Sequence, residues 1–393
     1  MKRHVCQIIA PDILEKIEKN GTPAEKEAIR RTLITSRELK KRRELAPVPQ
    51  ESAGSDRKVY TAKNKKTLPG TKVRSEVDHP VQDQTVNEAF DGAGNTYRLF
   101  LAEYDRKSLD GKGLALISTV HYDKDFDNAF WDGSQMVYGD GFFFNAFTRD
   151  LTVVGHELGH GITQYTGNLD YQGQSGALNE HMSDVFGALV EQYAYIQSAN
   201  EATWIIGGEL CVGKIKGRGL RDMLNPGTAY DDPIIGKDPQ GADMAHYIDT
   251  LDDNGGVHLN SGIPNRAFAL ACIERGGYAW ETIGKVWYET LIKKVTSTTQ
   301  FLEFANFTYL MAGELYGKNS TEQQAVVGGW DAVGIAAKEA PSPAPVPNDS
   351  PCLPMLMSIL SDPQTRKKLI ALGEDPKVRQ FVVQAYAAMK KDA

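Results

Sequence analysis

The chain has 393 residues, of which 41% are hydrophobic and 24% charged. That is long enough for two domains with appendages and too ordinary in composition for a fibrous or disordered protein. The net charge is −7, yet residues 1–50 carry 12 Lys and Arg against 7 Asp and Glu, which leaves −12 on the rest. A basic leader on an acidic body suits docking within one chain and argues against a nucleic-acid binder, whose main body would be basic. Val5 to Ala10, the longest apolar run near the start, is broken by Gln7 and too short for a signal-peptide core or a membrane span. The expectation is a monomer without membrane contact, cytoplasmic or secreted without a cleaved signal peptide. Cys6, Cys211, Cys272 and Cys352 are too scattered for a disulfide scaffold or a zinc finger and read mostly as reduced thiols.

In chain order, residues 11–45 read as one or two helices, with Ile13, Leu14 and Ile17 at helical spacing, a break at Gly21-Thr22-Pro23, and Ile29, Leu33 and Ile34 resuming the pattern. This leader, residues 1–52, ends in Lys40-Lys41-Arg42-Arg43 and the extended Ala46-Pro47-Val48-Pro49. The junction reads either as a cleavage region within 44–60 or as a solvated helix end with a linker. Residues 53–150 show short β-type runs, Tyr97–Ala102, Leu114–Tyr122 and Gln135–Tyr138, between Asp-Gly and Gly-Asn turns. Residues 151–338 switch to apolar spacings of three and four, as in Val153, Val154, Leu158 and Ile162. The fold class is therefore α+β, with a β-rich N-terminal lobe and a helical C-terminal lobe. A Pro-rich linker (339–350) precedes a tail (351–393) with two helical patterns, read as a hairpin packed on the body or as a partner-binding module.

His156-Glu157-Leu158-Gly159-His160 has the spacing H-E-x-x-H within a helical pattern. Residues four apart share a helix face, so both imidazoles can converge on one metal with Glu157 beside them. Twenty residues on, Asn179-Glu180-His181-Met182-Ser183-Asp184 offers Glu180 as a third ligand of a two-histidine, one-glutamate set that leaves zinc an open position, although taken alone Glu180 and Asp184 read as ordinary helix-surface acids. Asn179 and Asp184 can accept the spare N–H of the ligand imidazoles. Asp253-Asn254-Gly255-Gly256-Val257-His258 makes a turn that aims His258 at a cleft, where Asp253 can keep it protonated to meet an oxyanion.

Together with Asn128-Ala129-Phe130-Trp131, Gly133 to Gly141, Gly176 to Asp184 and Asp253 to Gly262, in this order, the chain resembles the thermolysin family of peptidases over residues 72–336. The short leader with Cys6 to Leu14 looks most like the family's protealysin branch, whose members carry a propeptide of about this length. The resemblance implies a two-lobed metallopeptidase with the zinc helix between the lobes and one catalytic zinc on His156, His160 and Glu180. Glu157 would be the general base, Tyr171 and His258 the oxyanion donors, Asn128 and Ala129 the groups that align a peptide, and Arg221 the group that binds a substrate carbonyl. Phe144, Phe147, Val153, Ile206 and Leu220 would line the pocket for the residue after the scissile bond, so cleavage of peptides before bulky apolar residues is expected. The family's double calcium site normally draws on an aspartate where Thr152 stands, and Thr203, Ile205 and Gly208 replace acidic positions, so its loss is expected. A single residual calcium on Glu191 stays open. Cys6 reads as a thiolate ligand that silences the zinc in the precursor, or as a small buried residue beside Pro11 to Leu14 blocking the cleft. A silent zinc protein that binds a partner and a hydrolase of non-peptide amides are the competing functions. Retention of Glu157, Tyr171, Arg221 and His258 disfavours the first, and the apolar pocket with Asn128 disfavours the second.

Overall fold

Two prolines and a reciprocal cap shape the leader. In the computed structural model, which describes residues 6–42 and 54–338, a short strand β1 (Cys6–Gln7) is followed by helices α1 (Pro11–Asn20) and α2 (Pro23–Arg42). Pro11 and Pro23 each open a helix, where a missing N–H costs nothing. The Thr22 amide donates to Glu25 Oε2 at 2.6 Å while the Glu25 amide donates to Thr22 Oγ1 at 3.4 Å, so the helix break falls at Gly21-Thr22-Pro23 as the sequence predicts. Residues 43–53 of the junction, the Pro-rich linker and the tail lie outside the described residues, while 54–60 of the junction lead into the next strand.

The N-terminal lobe is built on a sheet of six strands in the order β1-β5-β6-β4-β2-β3, with β2 (Arg57–Lys65), β3 (Thr71–Ser75), β4 (Leu116–Tyr122), β5 (Ala129–Trp131) and β6 (Met136–Tyr138). The leader strand β1 sits at one edge, antiparallel to β5, with Cys6 opposite Trp131 and Gln7 opposite Phe130. One expectation fails here. Tyr97–Ala102 is not a strand but part of helix α3 (Gln84–Tyr104), which starts where Asp83 accepts from the amides of Thr85 and Val86. Val86, Phe90, Ala93, Tyr97, Phe100 and Tyr104 recur at three and four and face the core, so burial of one helical face outweighs the local aromatic bias toward strand.

The C-terminal lobe is helical: α4 (Leu151–Gln164), α5 (Gly173–Tyr195), the strand pair β7 (Ile205–Ile206) and β8 (Arg221–Asp222) with α6 (Gly208–Cys211) between them, then α7 (Asp253–Asn260), α8 (Gly262–Arg275), α9 (Ile283–Lys293), α10 (Phe301–Tyr316) and α11 (Thr321–Asp331). Helices α4 and α5 meet through glycines. A Cβ on Gly155 would lie 2.9 Å from the Gly187 Cα, and one on Gly187 would lie 2.4 Å from the Thr152 carbonyl oxygen, so the two backbones approach as closely as they do only without side chains there. This contact sets the distance between the two halves of the metal-binding motif. No helix among the described residues is long and apolar enough to cross a membrane.

Candidate active site

Helix α4 is capped by Asp150, which accepts from the amides of Thr152 and Val153, and it carries His156, Glu157 and His160, all buried. Helix α5 runs beside it with Asn179, Glu180, Ser183 and Asp184 on the facing side. His156 donates Nδ1–H to Asp184 Oδ1 at 2.7 Å, and His160 Nδ1 lies 2.8 Å from Asn179 Oδ1 and 3.0 Å from Ser183 Oγ. With both Nδ1 atoms engaged, the two Nε2 lone pairs face each other at 3.0 Å. Glu180 places its carboxylate 3.5 Å from each Nε2, and its Oε2 makes no hydrogen bond although it is buried. Two lone pairs and an unsatisfied carboxylate oxygen converging in a buried space repel one another unless a cation lies among them. Burial also pushes the His156 imidazole down to about 4 and that of His160 to about 3, which keeps both neutral, the form that binds a metal. The donor set therefore fits zinc.

Glu157, beside His156 on α4, accepts the Trp131 amide of β5 on its Oε2 at 2.9 Å. Burial and then the neighbouring Glu180 push its carboxyl well above the usual range, so it takes a proton readily. The turn into α7 is left-handed at Asn254, Gly255 and Gly256, and it brings Asp253 back onto His258, with Oδ1 2.7 Å from Nδ1 and Oδ2 accepting the His258 amide at 2.8 Å. Burial opposes the charged imidazole, but Asp253 and then Glu180 outweigh it and push His258 up to about 9. Tyr171 donates its hydroxyl to Glu180 and lies 3.4 Å from His258 Nε2.

Arg221, on β8, is fixed by two bonds to Asp184, Nε to Oδ2 at 2.9 Å and Nη2 to Oδ1 at 2.8 Å. Asp184 thus joins a ligand imidazole to a cleft cation. Burial works against its ionisation, but Arg221 and His156 prevail and hold the carboxyl far below its usual range. Phe144, Phe147, Val153, Ile206 and Leu220 are buried in one apolar core together with Ile8 and Ile9 of the leader.

The leader fills the cleft with its backbone. The Gln7 carbonyl accepts from His258 Nε2 at 3.0 Å, the Ile8 carbonyl from Arg221 Nη1 at 3.2 Å, and the Ile8 amide donates to the Ala129 carbonyl at 3.3 Å. The Ile9 amide donates to Asn128 Oδ1 at 3.1 Å, and Asn128 Nδ2 returns a bond to the Ile9 carbonyl at 3.4 Å. Pro11, expected to block the cleft, instead opens α1, while Gln7, Ile8 and Ile9 hold the cleft groups. The sequence carried a signal for them, two adjacent isoleucines in a basic leader. Cys6 is buried, and its sulfur, one His160 nitrogen and one Glu180 oxygen all lie within 4.8 Å of one another. Sequence reading also missed Asn265, whose Nδ2 donates to Asp184 Oδ2 at 2.8 Å and whose Oδ1 lies 2.8 Å from Nδ1 of the buried His181.

At Thr152, where the resemblance led to the expected loss of the double calcium site, the hydroxyl donates to Asp150 Oδ1 at 2.6 Å and accepts the Gly207 amide at 2.9 Å. Glu191 stands half-buried nearby with its carboxyl pushed up to about 7 by burial and by Asp150 and Glu209.

Residues 38–164 match the family model for the thermolysin metallopeptidase catalytic domain, and residues 167–335 match that for its alpha-helical domain. An extracellular metalloprotease of Pectobacterium carotovorum subsp. carotovorum is 45% identical over 86% of this chain and 98% of its own. A thermolysin of Bacillus sp. (strain EA1) is 38% identical over 72% of this chain and 51% of its own. The solved precursor of protealysin, a metalloproteinase from Serratia proteamaculans, superposes with a TM-score of 0.78 at 45% identity, over 84% of this chain and all of that one. With the zinc-fitting donor set between a β-rich and a helical lobe, these matches lead to one conclusion: the chain belongs to the thermolysin metallopeptidase family and is a protealysin-like zinc metalloendopeptidase.

Proposed function

We propose that the protein is an endopeptidase precursor silenced by its own leader, residues 1–52, and that once freed it cleaves peptides before bulky hydrophobic residues. The observation that carries this reading is the leader strand on β5: one stretch of peptide backbone satisfies His258, Arg221, Asn128 and Ala129 at once. Those are the groups that a bound substrate needs, so the leader excludes substrate while it stays.

Zinc held by His156, His160 and Glu180 would polarise the scissile carbonyl and acidify a water. Asn128 and the edge of β5 align the substrate backbone, and Arg221, pinned by Asp184, takes the carbonyl after the scissile bond. Glu157 accepts the water's proton and passes it to the departing amide nitrogen. His258, kept charged by Asp253, and the Tyr171 hydroxyl meet the negative charge that develops on the carbonyl oxygen. In the precursor the Cys6 sulfur would be a further donor to that zinc, a role supported by its nearness to His160 and Glu180. The five-residue apolar pocket selects the side chain that follows the bond.

The test is a cleavage map. Leader-free enzyme given a mixed peptide pool cuts before Phe, Leu, Ile or Met, a chelator abolishes cutting, and Glu157→Ala lowers kcat about 10²–10⁴-fold with zinc still bound. Cuts spread without regard to the following side chain would overturn the assigned pocket.

A further inference from the structure

The leader crosses the active site in a register that presents one of its own bonds to the catalytic groups. Three neighbouring bonds can be compared by what their atoms touch. The Gln7 carbonyl oxygen is 3.0 Å from His258 Nε2, itself 3.4 Å from the Tyr171 hydroxyl, so it occupies the place of a developing oxyanion. The Ile8 amide nitrogen, on the other side of the same bond, donates to the Ala129 carbonyl at 3.3 Å, on the strand whose Trp131 amide holds Glu157 Oε2 at 2.9 Å. One bond onward, the Ile8 carbonyl is on Arg221, a cation fixed by Asp184 and distant in role from the oxyanion donors. Two bonds onward, the Ile9 carbonyl is on Asn128. Of the three, the Gln7–Ile8 bond has the oxyanion donor His258 at its oxygen and the edge of β5 at its nitrogen. The residue after it, Ile8, is a fully buried apolar side chain, the kind that the proposed specificity calls for.

We propose that Gln7–Ile8 lies in the reacting position, so that the precursor's first cut is intramolecular and falls there, releasing Met1–Gln7 before any cut in the leader–body junction. This rests on the reading of the site given above. Water adds to the Gln7 carbonyl carbon, and the carbon–nitrogen bond to Ile8 breaks. Gln7 ends as a carboxylate, while Glu157 carries the water's proton to the Ile8 nitrogen, which leaves as a new amino terminus. What holds the bond intact in the resting precursor is Cys6, whose sulfur takes the space that the attacking water needs. The cut is self-reinforcing, since the released heptapeptide carries that thiol away. The rest of the leader stays anchored by contacts such as Asn20 Nδ2 to the Ile234 carbonyl at 2.8 Å and Arg31 to Asp125 at 2.8 Å, so the nicked form is a distinct intermediate.

The experiment follows intact mass in the zinc-loaded, full-length Cys6→Ala precursor, with Cys6→Ala/Glu157→Ala as control. A chain beginning at Ile8 appears first, at a rate unchanged over a hundredfold dilution, and is absent from the control. A second readout needs no turnover. A leader peptide of residues 1–20, Cys6→Ala, with a phosphinate replacing the Gln7–Ile8 amide binds the leader-free enzyme at least about 100-fold tighter in calorimetry than one with the phosphinate at Ile8–Ile9, since a transition-state mimic gains affinity only at the reacting bond. A precursor that keeps Met1 while its leader-free form cuts external peptides, or equal affinity of the two phosphinates, overturns the inference and leaves the proposed function standing. Failure of the leader-free form on every peptide removes the proposed function itself.

Discussion

Asp184 does more in this molecule than its place in the sequence suggests. One carboxylate receives Nδ1–H of the ligand His156, two guanidinium nitrogens of Arg221 and the amide of Asn265, so the metal centre and the carbonyl-binding cation share one anchor. Glu191 is the opposite case, an acid held where it is disfavoured. Its carboxyl rises from 4.5 to about 7, first through burial and then through Asp150 and Glu209. Below the unfolded value the group is protonated folded or unfolded and costs nothing. Between 4.5 and about 7 the unfolded chain ionises while the native state keeps the proton, so stability falls across that window and stays lower above it. Glu191→Gln should therefore leave the melting temperature unchanged near pH 4.5 and raise it by a few degrees at pH 8, a gain of about 1 kcal/mol once partial solvent screening is allowed for. If calcium resided on Glu191, added calcium would stabilise the parent and the substitution would destabilise it, which differential scanning calorimetry distinguishes. At this scale His156, Glu157, His160 and Glu180 were legible because metal chemistry demands fixed residue types at helical spacing. Asn265 and the Trp131 amide that orients Glu157 were not, since a backbone amide leaves no mark in the sequence and Asn265 stands 81 residues from the carboxylate it serves.

The pairing of α4 with α5 decides whether those residues meet. Three ligands lie on two helices, and glycines at positions 155 and 187 set how close the helices come. Gly187→Ala would drive a Cβ into the Thr152 carbonyl at 2.4 Å, and because both partners are backbone, the helices must move apart. The expected result is a loss of about 1–3 kcal/mol in denaturant unfolding together with weaker zinc retention against a chelator. Retained affinity at reduced stability would show that the ligand geometry does not depend on this contact. Element reading from sequence succeeded where turn chemistry was explicit, as at Gly21-Thr22-Pro23, and failed at α3. There the aromatic run Tyr97–Ala102 carried a strand bias, while the helix was specified fourteen residues earlier by the Asp83 cap and by a face that only the folded core reveals.

Across the whole molecule, the charge division seen in the sequence becomes a docking surface. The basic leader sets Arg31 against Asp125 at 2.8 Å and Thr35 against Asp123 at 2.7 Å, and Leu39 enters an aromatic cluster of Tyr122, Phe126 and Phe130. These contacts hold the helices in place while the strand before them occupies the cleft. The two-lobed organisation and the docked leader were thus readable from composition and periodicity, whereas the strand register was not, because it depends on which backbone groups Arg221, Asn128 and His258 happen to reach. We propose that this leader, and nothing outside the chain, keeps a competent zinc peptidase silent. The most direct test follows intact mass and hydrolysis of a quenched peptide bearing Phe or Leu after the scissile bond, over time, in purified parent and Glu157→Ala proteins. Self-inhibition by the leader predicts stepwise loss of about 50 N-terminal residues with rising activity in the parent, and neither change in the variant. Full activity in the parent while its leader is still intact and bound would contradict it.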